Sequence, residues 1–551
     1  MLSKNRLVVT AILNVLLSTQ VTFAATAEEE AVESERQRHE AAQIEIRKKE
    51  LAKENDPSYF VKTKGYRVEP EPEPPRYVRN LSKTQFEQFK DITWLDVGLD
   101  FRNRYEYREN DYRRRTNESG VTLPNAFRDK PDNLWLLRTR AYIGIKEILD
   151  PLRAVVEFQD SRSYNGLYEK TDADVNEFDL IQAYVELYFD DALGLNRPLS
   201  VRVGRQSLEL LDRRLIGNNQ FRNTTNNFEG FRVRFGKKEN NWDLDTFAFH
   251  PVERLKYKFD RSDEDNWIYG GVLSIREWSK FITIQPYFLG RKVNGDPYNT
   301  VTANRKNDID LYAPGLRVYG LFGDSGFDFD ADINKQFGRF GVTRNLGTTA
   351  KPNNQQVMLQ HDAIAYSLEL GYSVDHEWKP RASLYYGYGS GDKKPNTPAV
   401  GIATDDVNNK FDAFYGFNQP WSRNDYFSWD NVHAPKARLE FAPYKNLKVE
   451  TGYNAYWLAS DTEAWNRANI RDRKGNSGSF LGHEFDVRFV HQLNHYIEWS
   501  LSYAHFEPGG FTKDMSRSVA NGGNGAYTDQ AGNFFYFEVS LNAFGDGKPL
   551  R

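Results

Sequence analysis

The chain has 551 residues, is 39% hydrophobic and 27% charged, and carries a formal net charge of −4. At a mean hydropathy of −0.71, nothing beyond the N-terminus supplies the roughly 20 consecutive apolar residues of a membrane-spanning helix. Cysteine is absent, which excludes disulfide frameworks, thiolate metal sites and cysteine nucleophiles, and the slightly acidic balance gives no field for nucleic acid.

The first expected element is an export signal. Lys4 and Arg6 precede a mostly apolar run at 7–17, and Ala25-Thr26-Ala27 offers a small-residue cleavage pattern, with Thr22-Phe23-Ala24 a rival. Residues 1–27 are therefore expected to be a signal peptide, and the mature chain to be exported. Residues 28–90 read as a charged periplasmic arm. Its first half runs from Glu28-Glu29-Glu30 through Arg47-Lys48-Lys49-Glu50, with a thin apolar stripe of Ala41, Ile44, Leu51 and Ala52. That composition fits a solvated helical or disordered arm, and equally a docking segment for a periplasmic export partner. Glu69-Pro70-Glu71-Pro72-Glu73-Pro74-Pro75 follows and reads as an extended, stiff spacer.

From about residue 92 the texture changes to period-two alternation, and residues 91–551 are expected to form one barrel. Leu95, Val97, Leu99 and Phe101 alternate with Asp96, Gly98, Asp100 and Arg102. Phe535, Phe537, Val539 and Leu541 alternate with Tyr536, Glu538 and Ser540. Such alternation marks strands with one apolar face. About eighteen segments of this kind are read, among them 199–206, 326–334, 362–374 and 447–457. Long and short connections alternate between them, the pattern of a transmembrane antiparallel β-barrel with short periplasmic turns and longer outer loops. An even strand count that begins before a long loop puts both termini in the periplasm. The 31 Tyr and 37 Phe suit interfacial girdles. The expected location is the outer membrane of a Gram-negative cell, with lipid around the apolar face and water inside.

The polar phase of the strands is rich in arginine. Arg102 and Arg104, Arg138 and Arg140, Arg202, Arg232 and Arg234, Arg317, Arg381, Arg438 and Arg488 fall on it. Asp100, Glu157, Glu186, Asp245, Asp328, Asp330, Glu484 and Asp486 share that face. Two readings are open. Opposite charges pair across strands and hold the wall, at roughly 0.2–1 kcal/mol per pair. Alternatively, guanidinium groups form a ladder for carboxylates, which arginine binds bidentately while staying charged. The nine histidines are scattered, and His491 and His495 flank a predicted turn rather than share a helix face. No catalytic residue, metal site or cofactor is expected.

At this point the chain resembles the alginate export family of outer-membrane barrels. Val203-Gly204-Arg205-Gln206-Ser207-Leu208, Arg213-Arg214-Leu215-Ile216-Gly217, Asn223-Thr224 and Phe228-Glu229-Gly230-Phe231-Arg232 are similar to that family's glycine-, arginine- and asparagine-bearing signature. Gly387-Tyr388-Gly389-Ser390-Gly391-Asp392 and Gly482-His483-Glu484-Phe485-Asp486 agree with it. Glu229 departs from it, standing where the family usually has Asp. The resemblance implies an 18-stranded barrel whose arginine-lined pore passes the polyuronate alginate outward. Carried over, it singles out Arg205, Arg214 and Arg232, which join Arg138, Arg140, Arg234, Arg438 and Arg488 as expected pore or substrate-binding residues. The expected function is a channel for an anionic polysaccharide or a related polar solute. The alternatives are a porin for small anions and a surface barrel that binds or cleaves glycans.

Overall fold

The computed structural model describes residues 59–65, 68–113, 128, 130–295, 307–345, 354–394, 405–517 and 529–545. The expected signal peptide at 1–27 and the charged stretch at 28–58 lie outside the described residues.

The alternating segments form a closed antiparallel barrel of eighteen strands. They are β1 (Leu95–Glu109), β2 (Asp132–Ile145), β3 (Leu152–Asn165), β4 (Asn176–Phe189), β5 (Leu199–Gln206) and β6 (Phe228–Phe235). The second third comprises β7 (Trp242–Glu253), β8 (Asn266–Ile275), β9 (Ile282–Val293), β10 (Ile309–Leu321), β11 (Phe327–Asn345) and β12 (Asn354–Ser373). The last third comprises β13 (Arg381–Gly389), β14 (Val432–Tyr444), β15 (Leu447–Trp457), β16 (Phe480–Gln492), β17 (Ile497–Pro508) and β18 (Gly532–Asn542). Each strand pairs with the next, and β18 closes on β1 from Asp100↔Asn542 to Glu109↔Asn533. Closure leaves no edge, which is required where hydrocarbon offers backbone groups no partner. Val78–Asn80 adds a short strand beside β1, so the sheet recruits residues ahead of the expected boundary at 91.

Every segment read as a strand is one. The boundaries at 199–206 and 447–457 coincide with β5 and β15. The largest departures are β11 and β12, which run well past the expected 334 and 362 as a paired hairpin ending at Asn345↔Asn354. Polar residues replace the apolar phase there, so alternation fades while the ladder continues. Short turns such as 445–446 gather at one end and long loops such as 207–227 at the other. The start of β1 and the end of β18 both lie at the short-turn end. Leu95 faces Ile145 ahead of the turn into β3, and Asn542 sits beside Asp100.

The barrel is apolar outside and polar within. Leu99 and Phe101 are exposed on the outer face, while Asp100, Arg102 and Arg104 between and beside them are buried. Exposed aromatics cluster at both rims: Trp278, Phe322, Phe327, Tyr372 and Tyr444 at the short-turn end, and Trp135, Tyr164, Phe178, Tyr453 and Tyr503 at the other. Such belts sit at the interfaces of a lipid layer. Leu384, inside β13, is 69% exposed on the apolar face. Leu384→Arg is expected to cost about 2–4 kcal/mol of stability in lipid vesicles, the penalty for a cation near the hydrocarbon midplane. Urea titration of vesicle-folded protein measures it, and an unchanged midpoint would mean that lipid does not touch this face.

The Pro-rich segment departs from the sequence reading. It is not a free spacer, because it enters the bore. Phe60 N–H donates to the Lys280 carbonyl at 2.9 Å, and Thr63 Oγ1 donates to Asp330 Oδ2 at 2.7 Å. Val68 is fully buried. Glu73 reaches arginines of β5 and β6, and the Tyr77 hydroxyl donates to Glu157 of β3. The chain then leaves along β1 as Val78–Asn80 and caps a short helical turn, Leu81–Lys83. The physical reason is charge. The glutamates find guanidiniums inside the wall, and burial of Val68, Tyr77, Val78 and Leu81 secures both flanks.

Candidate functional site

Much of the bore is filled by chain from the long-loop end, and the loop 207–227 between β5 and β6 shows why. Gly204 and Gly230 face each other across these two strands with φ of 125° and 153°. A Cβ at either would drive into the carbonyl oxygen of Ala183 or Ala248 on the neighbouring strand, so only glycine fits. From this kink the loop turns inward. Leu208, Leu215 and Ile216 are buried in the main apolar cluster. Asn223 staples the loop to the wall, its Nδ2 donating to the carbonyls of Leu137 (3.1 Å), Arg162 (3.0 Å) and Asp174 (2.9 Å). Thr224 donates to the Asp172 carbonyl at 2.8 Å.

A second inward segment, 405–431, packs on the first. Ile216 bridges to Tyr415 in parallel, and Trp421 and Trp429 lie 5.6 Å apart, both buried. Gly387 admits the Trp421 ring, and Ser390 donates to the Asn409 carbonyl at 2.7 Å. Glu484 of β16 takes hold of the segment's turn. It accepts from the Ser422 hydroxyl, from Arg423 N–H at 2.7 Å and from Asn424 Nδ2 at 2.9 Å. Asp486, two residues on, binds Arg423 at 3.2 Å and Arg438 at 3.0 Å. The described loop segments thus pack into a core at the long-loop end.

The other end holds a cavity of about 990 Å³. Its lining reaches Trp378, Lys379 and the turn Pro443 to Leu447, so it faces the short-turn end. Twelve basic side chains line it against eight acidic ones. The charges are not evenly mixed. Arg102, Arg104, Arg138, Arg140 and Arg488 gather on the side built by β1, β2 and β16, near Asp100 and Glu538. Arg138 approaches Asp100 at 3.5 Å and donates to the Gln220 carbonyl at 3.3 Å. Arg140 is 3.3 Å from Asp100 and 3.9 Å from Glu71. Arg102 donates to the carbonyls of Gln220 and Arg222, both at 2.8 Å. The tip of the 207–227 loop is therefore held by this arginine wall and forms part of the cavity's ceiling.

A second arginine group lies outside that lining, around Glu73. Arg202 (3.0 Å), Arg232 (2.6 Å) and Arg234 (3.1 Å) converge on the Glu73 carboxylate. Glu186 and Asp245 are their partners on the wall. Burial alone would push the Glu73 carboxyl up. The combined pull of Arg232, Arg234 and Arg202 outweighs it and holds the group well below the ordinary carboxylate range.

Inward loops set by glycine kinks and fastened by Asn223, Ser390 and Glu484 are what the signature stretches build. Residues 93–525 match the family described as alginate export. The chain belongs to the alginate export family. As a member of that family it is an outer-membrane β-barrel of channel type. No curated protein matches the sequence. Among solved structures, OccAB1 of Acinetobacter baumannii is similar at 10% identity with a TM-score of 0.49, covering 84% of this chain and 98% of that one. The outer membrane protein OprD of Pseudomonas aeruginosa is similar at 12% identity with a TM-score of 0.46, covering 84% and 96%.

Within this alginate export barrel the expected site residues separate into groups. Arg138, Arg140 and Arg488 share the cavity wall. Arg232 and Arg234 hold Glu73. Arg214 does fold into the bore, where it pairs with Asp212 and lies 4.8 Å from the Tyr385 ring centre. Arg438 is tied to Asp486 in the packed interior. Arg205 is not in the bore. It keeps the outward phase of β5, near the loop end, between Asp179 (3.4 Å) and Glu229 (3.3 Å), and donates to the Asp260 carbonyl at 3.1 Å. The Gly204 kink bends the strand without turning this side chain inward, and two acids fix it where it stands. Cross-strand pairing is widespread: Arg317 with Asp330 at 2.5 Å, Arg381 with Asp328 at 2.6 Å and Arg276 with Asp243 at 2.5 Å. Among the described residues, no group of three or more His, Asp or Glu is placed to hold a metal ion.

Arg202, Arg213 and Glu73 were not among the expected site residues. Arg202 carries the same inward phase as Arg232, directly opposite it in register, so strand pairing would have found it. Arg213 neighbours Arg214 in an inward loop. Glu73 had a weaker signal, the repetition of glutamate at every second position of the Pro-rich run.

Proposed function

We propose that this barrel passes an anionic polysaccharide, a polyuronate of the alginate type, through an arginine-lined bore. The short-turn end is assigned to the periplasm, with both barrel termini there, and the apolar belt to outer-membrane lipid. The observation that carries the reading is the cavity at that end, where basic side chains outnumber acidic ones by twelve to eight and five arginines share one wall. Guanidinium groups in a wet bore offer weak, repeated, bidentate contacts to carboxylates, so a charged chain can enter and still leave. Passage is passive and no covalent step is assigned. A periplasmic export partner would dock on the arm ahead of the barrel.

Planar-bilayer recording tests this. An anion-selective conductance blocked by uronate oligomers is expected from the short-turn side. A conductance indifferent to those oligomers would replace the reading with a porin for small anions. No conductance, together with cleavage of glycans, would overturn both.

A further inference from the structure

The segment Glu69 to Pro75 has an unusual seat for a stretch that belongs to no strand of the barrel. Prolines 70 and 72 fix their own φ and bias the preceding glutamates toward extended backbone. In such a chain, residues two apart lie about 6 Å from each other along the axis. The result is a peptide with carboxylates at short, regular intervals, as a polyuronate carries one on every ring. Glu71 lies at the junction of the cavity and its ceiling: Asn218 Nδ2 of the inward loop donates to its Oε2 at 3.3 Å, and Arg140 is 3.9 Å away. Glu73 fills the three-arginine cradle described above. Three guanidiniums there face two wall carboxylates, Glu186 and Asp245. Glu73 supplies the third negative charge, and without it the cradle keeps an uncompensated cation.

The seat is built to be left. Pro72, Glu73 and Pro74 are exposed to the bore, and the Glu73 side chain retains 35% of its surface. Trp421 and Trp429 of the 405–431 plug are, by contrast, almost wholly buried. Ion pairs at Glu73 and hydrogen bonds at Glu71, whose N–H donates to the Glu209 carboxylate, hold the middle of the strap with no buried apolar side chain, and a polyanion offers the same charge.

We propose that the strap Glu69–Pro75 is a built-in carboxylate surrogate, with Glu71 and Glu73 occupying arginine sites of the bore until an incoming polyuronate displaces them. This rests on the anion-channel reading above and adds its regulation: without cargo the acidic strap occupies the arginine sites, small ions still pass beside it, and a polyuronate takes its place. The site is self-limiting, because small monovalent anions present too few carboxylates to displace two tethered ones.

The test uses the full chain in detergent with uronate oligomers as probe. Glu71→Gln/Glu73→Gln is expected to bind the oligomers about tenfold more tightly than the parent, since a tethered competitor lowers apparent affinity by the fraction of time it is bound. The chain has no cysteine, so Pro72→Cys, with both glutamates kept, gives a single thiol on the strap. Oligomers are expected to accelerate its maleimide labelling several-fold. Equal affinity for parent and double variant, or labelling that oligomers leave unchanged or slow down, overturns the surrogate while leaving the channel reading intact. Oligomers that bind neither form overturn both.

Discussion

Replacing Arg138 and Arg140 by glutamate is expected to cut the preference of the bore for anions by more than tenfold while the barrel still assembles. Both side chains come from β2, on the inward phase, and both line the cavity. The double exchange changes the local charge by four units. At about 10 Å in water, each unit acts on a passing monovalent ion with about 0.4 kcal/mol. Four units come to about 1.7 kcal/mol, and about 1.4 kcal/mol is a factor of ten. Assembly depends on the outer face and the ladder, which these positions do not alter. Asp100 loses its two partners, so Arg138→Gln/Arg140→Gln serves as the milder companion and is expected to show about half the effect in free energy. Reversal potentials under a salt gradient report the ratio. A reversal potential that does not move in either variant would show that these arginines only brace the wall, and that the excess of basic groups has no part in selection.

The barrel was legible in the sequence because the lipid writes a strict rule along each strand. Where lipid touches the wall the outward phase is apolar or aromatic, and eighteen stretches carry that alternation, broken near the loop end at positions such as Arg205. The rule stops where lipid stops, which is why the outer hairpin of β11 and β12 was cut short. Inward phase also put Arg138, Arg140, Arg232 and Arg488 on the bore side of the wall, where their side chains lie. What period-two reasoning could not give was the partner of each charge. Arg205 follows a glycine in a family signature, and a signature does not say whether its arginine meets cargo or an acid. Here Asp179 and Glu229 claim it. The signature's work is largely architectural: Gly204 and Gly230 bend two strands, Asn223 staples a loop, and Ser390 and Glu484 seat another. The acidic strap was read as a spacer because alternating proline and glutamate has neither helical nor strand periodicity. Its role depends on three arginines more than a hundred residues away in sequence.

Glu484→Ala is expected to loosen the packed loops at the other end and raise the frequency of open events in single-channel records. The cavity on the short-turn side has no use as a passage unless the 405–431 segment yields, and Glu484 is where that segment is fastened. Its carboxylate collects the Ser422 hydroxyl, the Arg423 N–H and the Asn424 side chain, all buried. A buried donor left without its partner costs about 1–3 kcal/mol. Stranding three of them raises the population of an opened turn by about a hundredfold or more, at about 1.4 kcal/mol per decade. The whole segment should not come away, because Trp421, Trp429 and Phe427 remain packed and Asp486 still holds Arg423. The effect is therefore local release rather than unfolding. Glu484→Gln keeps one oxygen for the Arg423 N–H and should fall between. Hydrogen exchange at 422–424 separates the two ways the experiment can end. Fast exchange with more frequent openings means the carboxylate is the latch. Slow exchange and unchanged gating in Glu484→Ala would mean that aromatic packing alone shuts the bore, and that the route outward must open somewhere other than this turn.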